Sequence, residues 1–257
     1  MGLITFTSDF GKQDHYIAAV KANILKVNSS LRIIDISHEI DPFDLAHAAY
    51  VVKSVFREFP KSSVHLVSLD TYVKNWGAIA MKLDDHYFVG PDNGVLSLIS
   101  QNKPAATIDL LGLNPIETVF PSKSIYAVAA ANIASGKDLY DLGPAKAEWV
   151  QLLDRQLKTT KSLIAGNIIR VDHYGNLITN ISKNEFETIS SMNNGQGFVI
   201  ALGREKAREI HKTYNAVEPG ECFCLFNESG LLEIGINSGN AAELLGLQFD
   251  SPINITF

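Results

Sequence analysis

Cysteine is almost missing from this sequence: the only two, Cys222 and Cys224, stand two positions apart. On a strand both would point to one face with a side chain between them, a poor geometry for a disulfide. A metal would need further ligands nearby, and none is obvious in the sequence. Free thiols in a cytoplasmic protein are the expectation. Also missing is any run approaching the roughly 18 apolar residues of a membrane span. The start of the chain shows neither the basic nor the apolar part of a signal peptide. The 22 Lys and Arg against 28 Asp and Glu give a net charge of −6. The basic residues are scattered, so the positive stripe that nucleic acid demands is lacking too. No glycine-rich phosphate loop occurs; Gly90-Pro91-Asp92-Asn93-Gly94 has no basic partner and reads as a tight turn.

What is present suits one large or two modest domains: 257 residues, 46% of them apolar and 19% charged. Residues 3–7 are a β-branched and apolar run that predicts a buried strand. It breaks on Ser8-Asp9-Phe10-Gly11, and a helical pattern follows with Tyr16, Ala19, Val20, Ile24 and Leu25. Further strands are predicted at 31–36, 64–69 and 86–89, and helices from Leu45 to Phe56 and from Ser124 to Ile133. Such alternation predicts an α/β domain, a mostly parallel central sheet flanked by helices.

Residues 151–161 are polar and without strong periodicity, a connector. Beyond them come short segments punctuated by turns, at 166–171, 176–181, 198–202, 221–226, 231–236 and 253–257. That spacing predicts an all-β, barrel-like second domain. The boundary is placed near 160, giving domains 1–160 and 161–257.

In open α/β sheets ligands sit beyond the carboxyl ends of the strands. Asp9, Asp35 or Asp41, and Asp70 would gather along that edge. Asp9 suits either a ribose hydroxyl pair or the cap of the next helix, and Asp41 and Asp44 suit turns and caps equally well. Asp70 is followed by Thr71 to Trp76 without a clean helix start, so a cap is less natural there. His38, in a loop beside acids, is the better acid/base candidate; His65, inside a strand, reads as packing. In the second domain Asp172-His173-Tyr174-Gly175-Asn176 puts an acid, an aromatic and an amide within five positions. The set could stack a planar ring, read its polar edge and hold an ammonium, or it could be a plain hairpin turn.

Five segments together carry a resemblance: Thr5 to Gly11; Ile34 to His38 with Pro42-Phe43-Asp44; Phe88 to Gly94; Asp172 to Asn176 running to Thr179-Asn180-Ile181; and Asn237 to Ala242 with Leu245-Gly246-Leu247. In this order, over nearly the whole chain, they resemble the S-adenosylmethionine (SAM) hydroxide adenosyltransferases, or SAM hydrolases, relatives of fluorinase and chlorinase. The resemblance implies an α/β domain joined to a β-barrel in a homotrimer, with each site between the first domain of one subunit and the second domain of its neighbour. It implies displacement at the ribose C5′ of SAM by water, with SAM as substrate and no metal or cofactor. Asp9 would hold the ribose hydroxyls and Phe43 would line the pocket. Asp172 would take the methionine ammonium, and Tyr174 and Asn176 would address the adenine.

Departures accompany the matches. The family's hydrolases carry an Asp-Arg-His set that poises the water. Asp70 fits its first member, but the following loop offers no arginine, and Phe120-Pro121-Ser122-Lys123-Ser124 has proline where histidine is expected. Lys74 or Lys123 would supply positive charge, without the fixed fork of arginine. Ser122 falls where fluorinase binds its nucleophile. Glu228, beside Ser229, stands where relatives place a serine near the methionine carboxylate. The resemblance therefore implies a SAM hydrolase. A catalytically silent nucleoside binder is the alternative, and a halogenase resting on Ser122 alone is the third reading.

Overall fold

The computed structural model describes residues 2–69, 77–112, 117–153 and 155–257. The chain divides into two compact units, 1–153 and 154–257. In the first, the elements run β1 (Leu3–Ser8), α1 (Tyr16–Val27), β2 (Arg32–Ser37), α2 (Leu45–Val55), β3 (Val64–Ser68), β4 (Ala78–Leu83), β5 (His86–Pro91), β6 (Ala106–Asp109) and α3 (Ala127–Ala134). Among the described residues the strands form one sheet in the order β2-β1-β3-β5-β4-β6. The β1/β2, β1/β3 and β3/β5 pairs are parallel, while β4 runs antiparallel to both β5 and β6.

Alternation along the strands decides which helices cover each face. Ile4 and Phe6 of β1 and Val64 and Leu66 of β3 pack with Val20 and Ile24 of α1 and Ala130 of α3. Val67, Ile79, Met81 and Phe88 pack with Ala48 and Val52 of α2 and with Phe56 just beyond it. All of these are buried. With both faces covered, the parallel strands open to ligands only at their ends.

The second unit runs β7 (Lys158–Thr159), β8 (Leu163–Val171), β9 (Leu177–Ser182), α4 (Lys183–Met192), β10 (Val199–Leu202), β11 (Glu205–Ala207), β12 (Cys222–Phe226), β13 (Leu231–Ile236), α5 (Ala241–Leu245) and β14 (Pro252–Thr256). Its sheet is antiparallel throughout, in the order β11-β10-β14-β8-β9-β13-β12, with β7 added beside β8. It curls into a nearly closed, barrel-like layer around Ile164, Leu177, Ile200, Leu232, Ile234 and Ile255. Cys224 faces that core and Cys222 its margin; both are free thiols. One helix is an addition to the strand pattern: α4 starts on a capping box in which the Ser182 hydroxyl accepts from Glu185 N and Glu185 accepts from Ser182 N.

Candidate functional site

Four parallel strands, β1, β2, β3 and β5, deliver their carboxyl ends to one edge of the first sheet. Asp9 follows β1. The helix-cap alternative for Asp9 is excluded, because α1 begins only at Tyr16, with His15 at its N-cap and no side-chain cap. Asp9 Oδ2 instead accepts from the backbone N of Phe43 at 3.2 Å. Phe43 sits at a φ of +66° and is 70% exposed. A bulky residue in that region is strained, and such strain concentrates at functional sites. Asp44 does cap a helix: its Oδ1 accepts from His47 N at 2.9 Å.

Asp41, Asp44 and His47 bring three potential ligand atoms within 4.8 Å of one another. Local bonds already engage them, since His47 Nδ1 accepts from Asp41 N at 3.1 Å and Asp44 caps α2. The group reads as a helix start rather than a cation site. Asp92, at the end of β5, is similarly committed: it accepts from Val150 N at 2.8 Å and lies 3.4 Å from Lys146 Nζ.

Ser122 opens a π-type turn, Ser122–Tyr126, that leads into α3. Such turns recur at functional sites. The Ser122 hydroxyl is buried and meets the Ser68 hydroxyl, at the end of β3, at 2.5 Å. Lys123 is exposed, and its carbonyl accepts from Asn23 Nδ2 at 2.6 Å. Asp70 and Lys74 lie outside the described residues.

In the second unit a cavity of about 700 Å³ is lined by Asp172, Tyr174, Asn176, Tyr214, Phe223 and the 236–240 segment. That volume lies in the range of small-molecule sites. Asp172 organises its corner: Oδ1 accepts from Tyr174 N at 2.9 Å and Asn176 N at 2.8 Å, and Oδ2 accepts from Asn176 Nδ2 at 3.2 Å. Gly175 completes the turn at a φ of +82°, where a Cβ would stand 2.1 Å from Asn240 Oδ1. Gly235 is required by a close approach, since a Cβ there would strike the Phe223 ring and Asn176 Oδ1. The result is a wall with one aromatic 76% exposed, Tyr174, and a second pair, Tyr214 edge-on to Phe223 at 5.5 Å.

Glu233 lies beneath this wall, 4% exposed. Its Oε2 accepts from Asn227 Nδ2 at 3.0 Å. Burial pushes its carboxyl above the usual range, with the Asp172 charge adding to the rise against hydrogen bonds from Asn227, Tyr214 and Asn176. Glu228 and Ser229 sit on the exposed turn between β12 and β13, outside the cavity lining.

Asp172, Tyr174 and Asn176 are thus brought together around one hollow, and Asp9 and Phe43 around one hydrogen bond. Tyr214 and Phe223 join the cavity wall, and Glu233 lies beneath it, without a local motif to announce them. Only the alternation of 222–226, which turns Phe223 away from the barrel core, gave a signal. A further hollow of about 750 Å³ opens at the amino ends of the first sheet's strands, beside Arg32, Lys61, Lys82 and Lys137. It holds none of the candidate residues and lies at the opposite end from where open α/β sheets bind ligands.

Comparisons with known proteins follow the same division of the chain. Residues 4–143 match the model of the SAM hydroxide adenosyltransferase N-terminal domain, and residues 166–254 that of its C-terminal domain. The (R)-S-adenosyl-L-methionine hydrolase of Methanocaldococcus jannaschii is 32% identical, over 100% of this chain and 97% of that protein. A fluorinase of Actinopolyspora mzabensis is 21% identical, over 99% and 97%. A crystal structure of an uncharacterised conserved protein from Thermotoga maritima superposes with a TM-score of 0.88 at 30% identity, covering 99% of this chain and 100% of the other.

Proposed function

Because this chain belongs to the SAM hydroxide adenosyltransferase family, we propose that it hydrolyses SAM to adenosine and methionine. The observation that carries this reading is the chain-long match to a relative named as a SAM hydrolase, at higher identity than to the fluorinase. The geometry supports it with an aromatic- and amide-lined cavity whose rim bears Asp172.

In this reading a water oxygen forms a bond to C5′ while the C5′–S bond breaks. Its electron pair returns to sulfur, giving the neutral thioether of methionine, and the water proton leaves to solvent. The sulfonium is a good leaving group, so the protein mainly positions and partly desolvates the nucleophile. Asp9 accepts from the ribose hydroxyls and Phe43 covers the sugar. Tyr174 and Asn176 address the adenine, and Asp172 takes the ammonium. Asp70 orients the water, with Ser122, Lys74 or Lys123 assisting. Glu228 and Ser229 stand at the methionine end, where the exposure of Glu228 lets water screen its charge from the substrate carboxylate. SAM is the substrate, and no cofactor is invoked.

The assembly proposed is a cytoplasmic homotrimer in which residues 1–160 of one copy supply the ribose and nucleophile side and 161–257 of its neighbour the adenine and methionine side. Support comes from two exposed rings, Phe43 and Tyr174, each unusually bare for an aromatic. A second reading, binding without turnover, is favoured by Pro121 standing where a histidine was expected. Incubation of the pure protein with SAM, followed by chromatography, separates the two. Adenosine and methionine appearing in equal amounts support hydrolysis; SAM bound but unchanged supports the silent binder.

A further inference from the structure

A polar chain runs behind Asp9. The Ser8 hydroxyl, fully buried, lies 2.7 Å from Nδ1 of His38, which is itself 3% exposed. His38 Nε2 lies 3.1 Å from Asp35 Oδ1, at an angle short of a well-aligned hydrogen bond. Asp35 Oδ2 in turn accepts from Lys21 Nζ at 2.5 Å. Burial keeps the imidazole below its ordinary value against the pull of Asp35, so the ring is neutral at neutral pH. A carboxylate only accepts, so the ring proton belongs on Nε2, and Nδ1 accepts from Ser8. The Phe6 ring meets the imidazole edge-on at 4.6 Å and fixes its plane.

The same residue also grips the loop through its backbone, because Gly11 N donates to His38 O at 2.8 Å. Asp9 therefore lies between two positions, 8 and 11, that are both tied to His38. Phe10 N lies 3.5 Å from the Ser8 hydroxyl, at the outer limit of a hydrogen bond. On the far side, the Asp9 carboxylate bonds only the backbone of Phe43 among the described residues, and Phe43 is exposed and strained. The rigid support of the Asp9 carboxylate comes from the His38 side.

We propose that His38 is a positioning residue for ligand recognition, acting through the Ser8 hydroxyl to hold the 8–11 loop so that Asp9 presents its carboxylate to a vicinal diol. This deepens the reading of Asp9 as the ribose contact and rests on it. Titration calorimetry on the full-length protein with adenosine and with 2′,3′-dideoxyadenosine tests both layers. The wild type should prefer adenosine, and Asp9→Asn should abolish that preference. His38→Ala should weaken adenosine roughly tenfold while leaving the dideoxy compound within about twofold. His38→Asn, whose amide oxygen can take the place of Nδ1, should restore the preference; His38→Gln, whose polar group reaches toward Asp35 instead, should not. Ser8→Ala removes the same bond from the other partner and carries the test if His38→Ala does not fold.

Equal weakening of both ligands, or an undiminished preference in His38→Ala and Ser8→Ala, overturns the positioning role while leaving Asp9 as the ribose contact. A wild type and Asp9→Asn that treat the two ligands alike remove the ribose contact itself, and the inference falls with it.

Discussion

The hydroxyls of Ser68 and Ser122 meet at 2.5 Å, both buried, though they are separated by 54 positions in the chain. One ends the third parallel strand and the other opens a π-type turn, so the pair joins the ligand edge of the sheet to the helix behind it. If Ser122 helps orient the attacking water, Ser122→Ala should slow adenosine formation by roughly tenfold while adenosine affinity changes by less than about twofold. The orphaned Ser68 hydroxyl should also cost about 1–2 kcal/mol of stability. Single-turnover kinetics and thermal unfolding read the two effects separately, and an unchanged rate would remove Ser122 from the chemistry.

Asp172 accepts three hydrogen bonds from its own loop. Asp172→Asn would turn one amide against the Asn176 amide and remove the charge proposed to meet an ammonium. SAM affinity should fall by about tenfold or more and adenosine affinity by only a few fold. Calorimetry with both ligands decides, since equal losses would confine Asp172 to shaping the turn.

Glu233 holds its proton more tightly when folded than when unfolded, because burial raises its carboxyl. Its penalty is thus absent well below the ordinary glutamate range and grows as pH rises toward the folded value. Glu233→Gln should gain stability relative to the wild type as pH climbs from about 4 to neutrality. Denaturant unfolding across that range should show the two curves diverging upward; curves that stay parallel would contradict a buried, reluctant acid.

His65 behaves in the opposite sense. Its Nδ1 lies 2.7 Å from the Thr5 hydroxyl and its Nε2 3.1 Å from His86 Nδ1, in a cage with Phe56, Phe59 and Phe88. Burial pushes its imidazole down to about 3, with the neighbouring His86 adding to the drop. The unfolded chain takes up this proton first, so stability is complete above about 6.5 and is lost as pH falls toward 3. By pH 5 the loss is roughly 2 kcal/mol. His65→Asn should unfold more easily at neutral pH yet lose less on acidification, a comparison that denaturant melts at pH 7 and 5 would make directly.

Much of this was legible in residue patterns that act locally. The apolar run before Asp9, the strands read at 31–36 and 64–69, and the Asp172–Asn176 corner follow from strand periodicity and turn chemistry. Strands β4 and β6 were not among those predicted, and the antiparallel insertion of β4 between β5 and β6 was not legible either, because a six-residue apolar strand carries no mark of its direction. Helix α4 hid within a short-strand texture, although Ser182 and Glu185 spell its capping box. Tyr214 and Phe223 meet across a long loop, and Glu233 is buried by partners far from it in sequence. Contacts of that kind have no local signature. Ser8 and His38, 30 positions apart, pair only because β1 and β2 lie side by side.

The central claim is displacement at C5′ by water, and the origin of one oxygen tests it most directly. The reaction run on SAM in oxygen-18 water, with the products weighed by mass spectrometry, should place the heavy oxygen on the 5′-hydroxyl of adenosine and none on methionine. Unlabelled adenosine, or label carried by the methionine fragment, would contradict it.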